Sequence, residues 1–118
     1  DRSVITMAKI GDKKFLFTGD AEKATEADVL AEKLNIDCDV LKVGHHGSRE
    51  SSTDDFLYAI NPKYAVISCG YDNTYGHPHS EAVARLSKFC GNQIYRTDEN
   101  GTVCISSDGA KLTVTTEK

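Results

Sequence analysis

Three short polar clusters, each following an apolar run, contain the residue types that could do chemistry. They are Thr18-Gly19-Asp20, Gly44-His45-His46-Gly47-Ser48 and Tyr75-Gly76-His77-Pro78-His79. Carboxylate and imidazole side chains bind divalent metal ions and transfer protons. If the three apolar runs are neighbouring parallel strands, the clusters meet at one edge of one sheet, where open α/β folds usually bind their ligands.

A carboxylate fixed just beyond a strand, such as Asp20, can bridge two divalent ions about 3.5–4 Å apart. Imidazoles would complete the coordination, and this mixture of nitrogen and oxygen ligands suits zinc or manganese. Two such ions activate a water molecule and hold both oxygens of a phosphodiester displacement. The residue types therefore predict a hydrolase.

The two adjacent histidines pose a choice. Neighbouring side chains of a strand face opposite ways, so only one of His45 and His46 points inward if the strand continues through them. One is then a metal ligand or proton donor and the other a support. We assign His46 as the ligand and keep both, with Asp20, in the predicted catalytic set.

The glycines beside the histidines allow backbone turns with positive φ and close approach of a ligand. We expect Gly47 and Ser48 to contact phosphate through an amide or hydroxyl group, with His79 as a further substrate-binding residue. The imidazoles of His77 and His79 are further candidates to complete the coordination.

Each cluster also has a structural explanation. A Gly-Asp pair after a strand is usually a turn, and Pro78 is placed as the start of a helix would require, which would leave His79 as polar surface. The coincidence of three such clusters after three apolar runs favours a functional edge.

The composition is typical of a folded globular domain. The 118 residues are 39% hydrophobic and 27% charged, with two prolines, and the length fits one domain, 1–118. No apolar stretch approaches the roughly 20 residues that cross a bilayer, so we expect a water-soluble chain without a transmembrane segment. The net charge of −4 excludes a broad basic surface.

Four cysteines occur singly, without the Cys-x-x-Cys pair of zinc and redox motifs. Because their neighbours are mostly apolar, we expect buried thiols that act as small hydrophobic residues. They are Cys38, Cys69, Cys90 and Cys104.

Hydrophobic periodicity predicts alternating strands and helices. The predicted strands are 4–10, 14–18, 40–43, 64–68, 93–96, 102–106 and 111–116. The predicted helices are 24–34, a helix capped by Ser52 or Thr53 and stopped at Asn61-Pro62, and a helix over 82–90 that ends at Gly91. On the first helix, the predicted inner face is Ala27, Leu30, Ala31 and Leu34, with Glu26 and Asp28 outside. Crossover helices imply parallel strands in the middle of the chain, and the strong turn signals of the tail imply an antiparallel meander of three strands.

Several segments together resemble the metallo-β-lactamase-type domain of the ComEC DNA-uptake proteins. They are FLFTGDAE (15–22), DVLKVGHHGS (39–48), NPKYAVIS (61–68), YGHPH (75–79) and YRTDENG (95–101). The resemblance covers nearly the whole chain, and its motifs are specific in their combination and order.

The resemblance implies half of an αββα sandwich, an α/β fold in which a mixed sheet carries three helices and the C-terminal meander. It also implies a dinuclear metal hydrolase ancestry and a nuclease role beside the membrane DNA channel of a bacterial competence protein. By matching position, Asp20 would be the bridging carboxylate and His77 the late histidine ligand, with His79 the less favoured choice. The His45-His46 loop would be a further active-site element.

One signature of the family is missing. The family carries its main ligands in an earlier His-x-His-x-Asp-His motif, and this chain has no histidine before His45. We therefore expect the C-terminal portion of the domain, inactive alone and with too few ligands for a tight dinuclear site. The apolar sheet face would need a cover, which predicts a homodimer. Two other functions stay open: a non-catalytic module that binds DNA or a partner, and a hydrolase of small phosphodiesters or esters.

Overall fold

The computed structural model describes residues 4–71 and 73–118, so residues 1–3 of the predicted domain lie outside the described range. The strands are β1 (Thr6–Ile10), β2 (Lys13–Phe17), β3 (Val40–Lys42), β4 (Tyr64–Ile67), β5 (Ile94–Arg96), β6 (Val103–Ser107) and β7 (Leu112–Thr116). The helices are α1 (Lys23–Ala31), α2 (Asp54–Ile60), α3 (Ser80–Cys90) and the one-turn α4 (Thr97–Asn100), and a short 3-10 segment covers Gly44–Gly47.

Strands β1 to β5 form one mixed sheet in chain order. β1 pairs antiparallel with β2, whereas β2, β3, β4 and β5 pair parallel with their neighbours. The predicted parallel arrangement in the middle of the chain is thus confirmed. Its consequence is that the segments after all four parallel strands leave the sheet at the same edge, which we call the carboxyl edge.

The hydrophobic core lies between one face of this sheet and the helices. Because strand side chains alternate, Leu16, Leu41 and Ile67 point to this face. They contact Phe56, Leu57, Ile60 and Leu86 of α2 and α3. Burial of each such side chain stabilises the fold by about 1.5–3 kcal/mol, and this layer holds the carboxyl edge in place.

The tail differs in part from the predicted meander. β5 pairs parallel with β4, and only β6 and β7 pair antiparallel, as a separate two-stranded sheet. The reason is α3, which returns the chain along the sheet and so places the next strand beside β4 in parallel. The fold class, a mixed sheet with helices and an antiparallel C-terminal element, is confirmed, with a fourth short helix between β5 and β6.

The β6–β7 hairpin lies over the second face of the sheet. An apolar cavity of about 210 Å³ separates them. Its lining residues are Phe15, Leu16, Phe17, Val40, Lys42, Val66, Val103 and Ile105. At the far end the hairpin turn contacts the β1–β2 turn, where the Asp12 N–H donates to the Gly109 carbonyl over 2.7 Å. The hairpin therefore covers part of the predicted apolar face, and a homodimer stays a prediction.

The predicted inner face of the first helix is partly wrong. Glu26 is 1% exposed, whereas Ala27 is exposed and Leu34 lies beyond the helix at 67% exposure. The cause is the Glu26 carboxylate, which accepts hydrogen bonds at the start of α2 from the N–H groups of Ser52 and Thr53 (2.6 and 2.9 Å) and from the Thr53 hydroxyl (2.9 Å). A buried carboxylate with several charge-assisted hydrogen bonds joins α1 to α2.

The four cysteines are free thiols. Cys38 and Cys90 are buried and Cys69 is half-buried, but Cys104 is exposed. The prediction of a buried thiol is wrong for Cys104 because its strand alternates half-buried and exposed residues, and Cys104 takes an exposed position.

No helix within residues 4–71 and 73–118 combines the length and apolar character that crossing a membrane requires.

We expect Glu26→Ala to lower the free energy of unfolding by about 3 kcal/mol or more, because it leaves buried N–H groups without an acceptor. Glu26→Gln keeps one acceptor oxygen and should cost less. Urea denaturation measures both. Asp28→Ala, an exposed change on the same helix, is the matched control and should stay within about 0.5 kcal/mol of the wild type. Equal stability of Glu26→Ala and Asp28→Ala would contradict the interhelix role.

Candidate active site

The imidazole rings of all four histidines meet at the carboxyl edge. The His77 ring is the shared neighbour, with its centroid 5.8 Å from that of His45, 6.1 Å from His46 and 4.7 Å from His79. The histidines come from the segments after β3 and β4, about thirty residues apart in the chain. The predicted convergence of the second and third clusters is thereby confirmed, and we call this group the imidazole cluster.

The strand argument for choosing between His45 and His46 does not apply, because β3 ends at Lys42. His45 (φ 50°, ψ 42°) and His46 (φ 56°, ψ 26°) are both left-handed, so the alternation of a strand does not apply to them. Both rings consequently lie beside His77. Left-handed backbone in a residue other than glycine costs of order 1–3 kcal/mol, and it persists where surrounding contacts impose it.

Gly47, the next residue, also has positive φ and lies against the loop that carries Pro78. It has a φ of 83°, and a Cβ at this position would lie 2.6 Å from the Pro78 Cβ. Its carbonyl accepts the His79 N–H over 2.9 Å. Gly47 thus allows the close approach of the loop that carries Pro78, and its predicted contact with phosphate stays a prediction.

His46 has a defined tautomer. Its Nδ1 lies 2.7 Å from the Ser68 carbonyl oxygen, at the end of β4. Because a carbonyl only accepts, Nδ1 carries the proton in this bond and Nε2 presents a lone pair when the ring is neutral. A histidine held in this way is prepared to bind a metal ion or accept a proton at Nε2.

His79, in contrast, uses both ring nitrogens within the chain. Its Nδ1 accepts the Arg49 N–H over 2.9 Å, and its Nε2 donates to the Tyr75 carbonyl over 3.2 Å. The His79 ring thus joins the segments after β3 and β4. These two hydrogen bonds give His79 a structural role. The predicted contact of His79 with substrate would require the ring to exchange one of them for a hydrogen bond to the substrate.

The Nδ1 atom of His45 is buried and unusual among the polar atoms of the site. It lies 3.0 Å from the Glu22 carboxylate but outside hydrogen-bond geometry, and within the described part of the chain it has no hydrogen-bond partner. Glu22 received no role from the sequence, although it follows Asp20 by two residues. The position of its carboxylate depends on the turn that precedes α1, which no local pattern encodes.

His77 is neutral over a wider pH range than a free histidine. Burial first, and then the three neighbouring imidazoles, lower the pKa of His77. Across residues 4–71 and 73–118, neither of its ring nitrogens has a hydrogen-bond partner. The ring borders a shallow pocket of about 210 Å³ lined also by His46, Cys69, Gly70, Asn73 and Tyr75. A neutral, unengaged imidazole at a pocket can bind a metal ion or accept a proton.

The first cluster lies beside this group. The His45 N–H donates to the Gly19 carbonyl over 2.8 Å, which brings the Gly19-Asp20 turn next to the histidine loop. The Asp20 side chain is exposed, and its favourable electrostatic interaction with Lys42 opposes the burial that lowers the pKa of that lysine. Its assignment as a metal ligand stays a prediction.

Ser48 lies inside its turn. It is 4% exposed, its hydroxyl oxygen accepts the Glu50 N–H over 3.1 Å, and its own N–H donates to the His45 carbonyl over 3.0 Å. The predicted amide and hydroxyl contacts of Ser48 with phosphate stay a prediction, and both groups now serve the turn.

The segment after β5 supports the cluster, a role that the sequence did not suggest. The Cys69 N–H donates to the Thr97 hydroxyl oxygen over 2.9 Å, and that hydroxyl donates to the Cys69 carbonyl over 2.9 Å. Cys69 directly follows Ser68, the acceptor of the His46 bond. Thr97 thus fixes the backbone on which the His46 tautomer depends.

Asp98 extends this support. Arg96 donates to it through two parallel bonds, Nε to Oδ1 at 3.0 Å and Nη2 to Oδ2 at 2.7 Å. Burial, followed by a hydrogen bond with Asp98, raises the pKa of the Cys69 thiol to about 11. Cys69 is therefore a half-buried thiol at the pocket wall, and its predicted structural role stays a prediction.

The metal-binding capacity of these residues is partial. No set of three or more His, Cys, Asp or Glu side chains in the described ranges is arranged to hold a metal ion. The donor chemistry nonetheless fits part of a zinc or manganese shell, because Nε2 of His46 and one ring nitrogen of a neutral His77 each present a lone pair.

Comparisons with known proteins agree with these features. The sequence profile of the "Metallo-beta-lactamase superfamily" matches residues 7–71, more than half of the chain. The "ComE operon protein 3" of Bacillus subtilis is 41% identical over 101 residues, and the "Competence protein ComA" of Neisseria gonorrhoeae is 38% identical over 103 residues. Each alignment covers 86% of this chain. The "Recombination protein 2" of Haemophilus influenzae is 37% identical over 87 residues, 74% of this chain.

The chain spans 13%, 15% and 11% of the length of these three relatives, in the same order.

Thr97→Val should lower the free energy of unfolding by about 1–3 kcal/mol, because the Cys69 backbone loses both hydrogen bonds to the hydroxyl. It should also weaken the Nδ1–H signal of His46 in nitrogen-15 spectra of the imidazoles. Thr97→Ser keeps the hydroxyl and is the matched control, which should restore both properties. An unchanged His46 signal in Thr97→Val would contradict the proposed support.

Asp98→Asn should lower stability in a pH-dependent manner. Arg96 lowers the pKa of Asp98 from its ordinary value of 3.8, so the ionised carboxylate contributes fully above that value, and its contribution is lost as the pH falls through the lower folded-state pKa. The wild type should exceed the variant by about 1–3 kcal/mol near pH 7, with the gap closing as the pH falls below the ordinary Asp pKa of 3.8. Urea denaturation at several pH values tests this, with the exposed Asp28→Asn as control. A gap that widens on acidification would contradict it.

Proposed function

The chain belongs to the metallo-beta-lactamase superfamily and is homologous to the competence proteins of the ComEC family, and from this membership we propose that it is part of a metal-dependent nuclease domain of a bacterial DNA-uptake protein. Within that protein, the domain would lie beside a membrane channel and cleave phosphodiester bonds of DNA. The proposal concerns the longer protein, because the chain matches only a small part of its relatives' length.

The observation that carries the proposal is the imidazole cluster at the carboxyl edge. His46 is held by Ser68 with a lone pair on Nε2, and the His77 ring lies beside it with a pKa lowered by burial and by the neighbouring imidazoles. Several strained or glycine-dependent backbone positions maintain this arrangement, and strain of this kind clusters at functional sites. A purely structural turn would not require four converging imidazoles from two distant segments.

Proteins of this superfamily usually bind divalent metal ions. His46, His77 and Asp20 stay the predicted ligands of a zinc or manganese ion. Because no three such side chains in the described ranges are arranged to hold an ion, other parts of the full protein would have to complete the site. A bound divalent ion polarises the phosphoryl oxygens and lowers the pKa of a bound water molecule.

The remaining residues orient and support the reacting groups. His79 fixes the two histidine segments to each other through Arg49 and Tyr75. His45, whose Nδ1 is buried beside Glu22, is the candidate for holding a proton when the substrate arrives. Gly47 and Ser48 shape the turn after the histidines, and we expect a phosphate group to approach the site at this turn.

Mutation of the predicted ligands in the full-length protein tests the proposal. Asp20→Asn and His77→Gln should each reduce DNA cleavage in manganese or zinc by at least about a hundredfold. The reduction follows from the loss of a ligand or proton acceptor at the reacting phosphate. Initial rates on a labelled DNA fragment measure it, together with metal content by mass spectrometry. Asp28→Asn, exposed on α1, is the matched control and should cleave at the wild-type rate.

The same experiment separates the alternatives. Cleavage at the wild-type rate by Asp20→Asn would reject the enzymatic role assigned to this edge. DNA binding without metal uptake or cleavage by the wild type would identify a non-catalytic binding module. Hydrolysis of a small phosphodiester without cleavage of DNA would identify a small-molecule hydrolase.

A further inference from the structure

Tyr75 combines high exposure with ordered surroundings. Its side chain is 77% exposed, yet its ring lies nearly parallel to that of His77, at 21° and with 5.7 Å between centroids. His77 is in turn nearly parallel to His46, at 22°. The three rings form a staggered stack with His77 as the shared member and Tyr75 as its exposed member.

The backbone under Tyr75 is braced on both sides. The Asn73 side chain accepts the His77 N–H over 2.9 Å and donates to the His77 carbonyl over 2.7 Å. The Tyr75 carbonyl accepts from His79 Nε2, and the Gly76 N–H donates to the Asn73 carbonyl over 3.2 Å. A large apolar ring is thus presented to solvent on a loop fixed by hydrogen bonds. Tyrosine provides rigid contact area at a low cost in side-chain entropy.

We infer that the exposed face of Tyr75 is a stacking site for an unpaired nucleobase of a nucleic-acid strand whose phosphodiester lies at the imidazole cluster. The inference rests on the proposed function and narrows its substrate to single-stranded nucleic acid. Every base has a π-face, so stacking on tyrosine tolerates any sequence. A paired base is already stacked within its duplex and cannot offer that face without being extruded.

The charges of the chain favour this kind of contact over phosphate attraction. The net charge is −4, so the electrostatic gain from a phosphate backbone is small. Arg49, the basic residue beside His79, has its side chain 3.0 Å from the Glu81 carboxylate. Lys42 is half-buried, and its Nζ lies 3.4 Å from the Val43 carbonyl. Within this chain, contact with the bases is therefore expected to contribute more to the binding of a strand than attraction to its phosphates.

Binding of labelled oligonucleotides to the full-length protein tests the stacking site. The probes are an oligothymidylate of about 12 nucleotides, an abasic oligomer of the same length, and a duplex of the same length, with fluorescence anisotropy as the readout. Tyr75→Ala should weaken binding of the oligothymidylate about tenfold or more, to the level that the wild type shows for the abasic oligomer. Tyr75→Phe keeps the ring and should stay within about twofold of the wild type.

Two further variants make the result decisive. Tyr58→Ala is the matched control, because Tyr58 is 79% exposed on α2 beside Phe89 and away from the imidazole cluster, and it should not change binding. Tyr75→Leu keeps apolar bulk without a π-face, so it should lose affinity as Tyr75→Ala does even if the alanine variant is poorly folded.

Equal oligothymidylate binding by wild type, Tyr75→Ala and Tyr75→Leu would overturn the stacking site, as would an equal loss of duplex binding. Failure of the proposed function looks different, because the wild type would then cleave no DNA whatever the binding results.

Discussion

The hydrogen bond from His46 to the Ser68 carbonyl is the contact on which the carboxyl edge depends. It connects the segment after β3 to the end of β4 and at the same time decides which nitrogen of His46 presents a lone pair. Equivalent links join the other segments, from His45 to Gly19 and from His79 to Gly47. Parallel strands about 4.8 Å apart bring consecutive segments close enough for such bonds, so the sheet order and the chemistry are parts of one arrangement.

The sequence predicts which chemical groups gather at the carboxyl edge, but not the backbone conformation that orients them there. Apolar runs followed by Asp20, His45-His46 and His77 predict that these residues gather at one edge, because parallel strands share their direction. The left-handed backbone of His45 and His46 could not be predicted, since positive φ is uncommon in any residue other than glycine, although histidine adopts it more often than most. The hydrogen bonds that hold these two residues, from His46 to Ser68 and from His45 to Gly19, come from segments remote in the chain.

Carboxylates illustrate the same limit. Glu26 lies among exposed residues in the sequence pattern of α1, yet it is buried and supports the start of α2. Asp98 stands in a turn-like motif and instead anchors an arginine fork beside Cys69. Asp20 is exposed at the edge where the histidines lie. Residue type alone cannot separate a structural carboxylate from a functional one, because the same oxygens serve both, and only their hydrogen-bond donors differ.

The hairpin turn and the β1–β2 turn can meet over the second face of the sheet because both contain a glycine at the point of contact. Gly11 and Gly109 both have positive φ, and a Cβ on Gly11 would lie 2.7 Å from the Gly109 carbonyl oxygen. The opposite end of the hairpin is tied beside α4, where the Lys118 N–H donates to the Asn100 carbonyl. A methyl group at position 11 would push the hairpin turn away from the β1–β2 turn. The other end of the hairpin lies next to α4, which carries Thr97, so a shift of the hairpin would also disturb the backbone that supports the histidines.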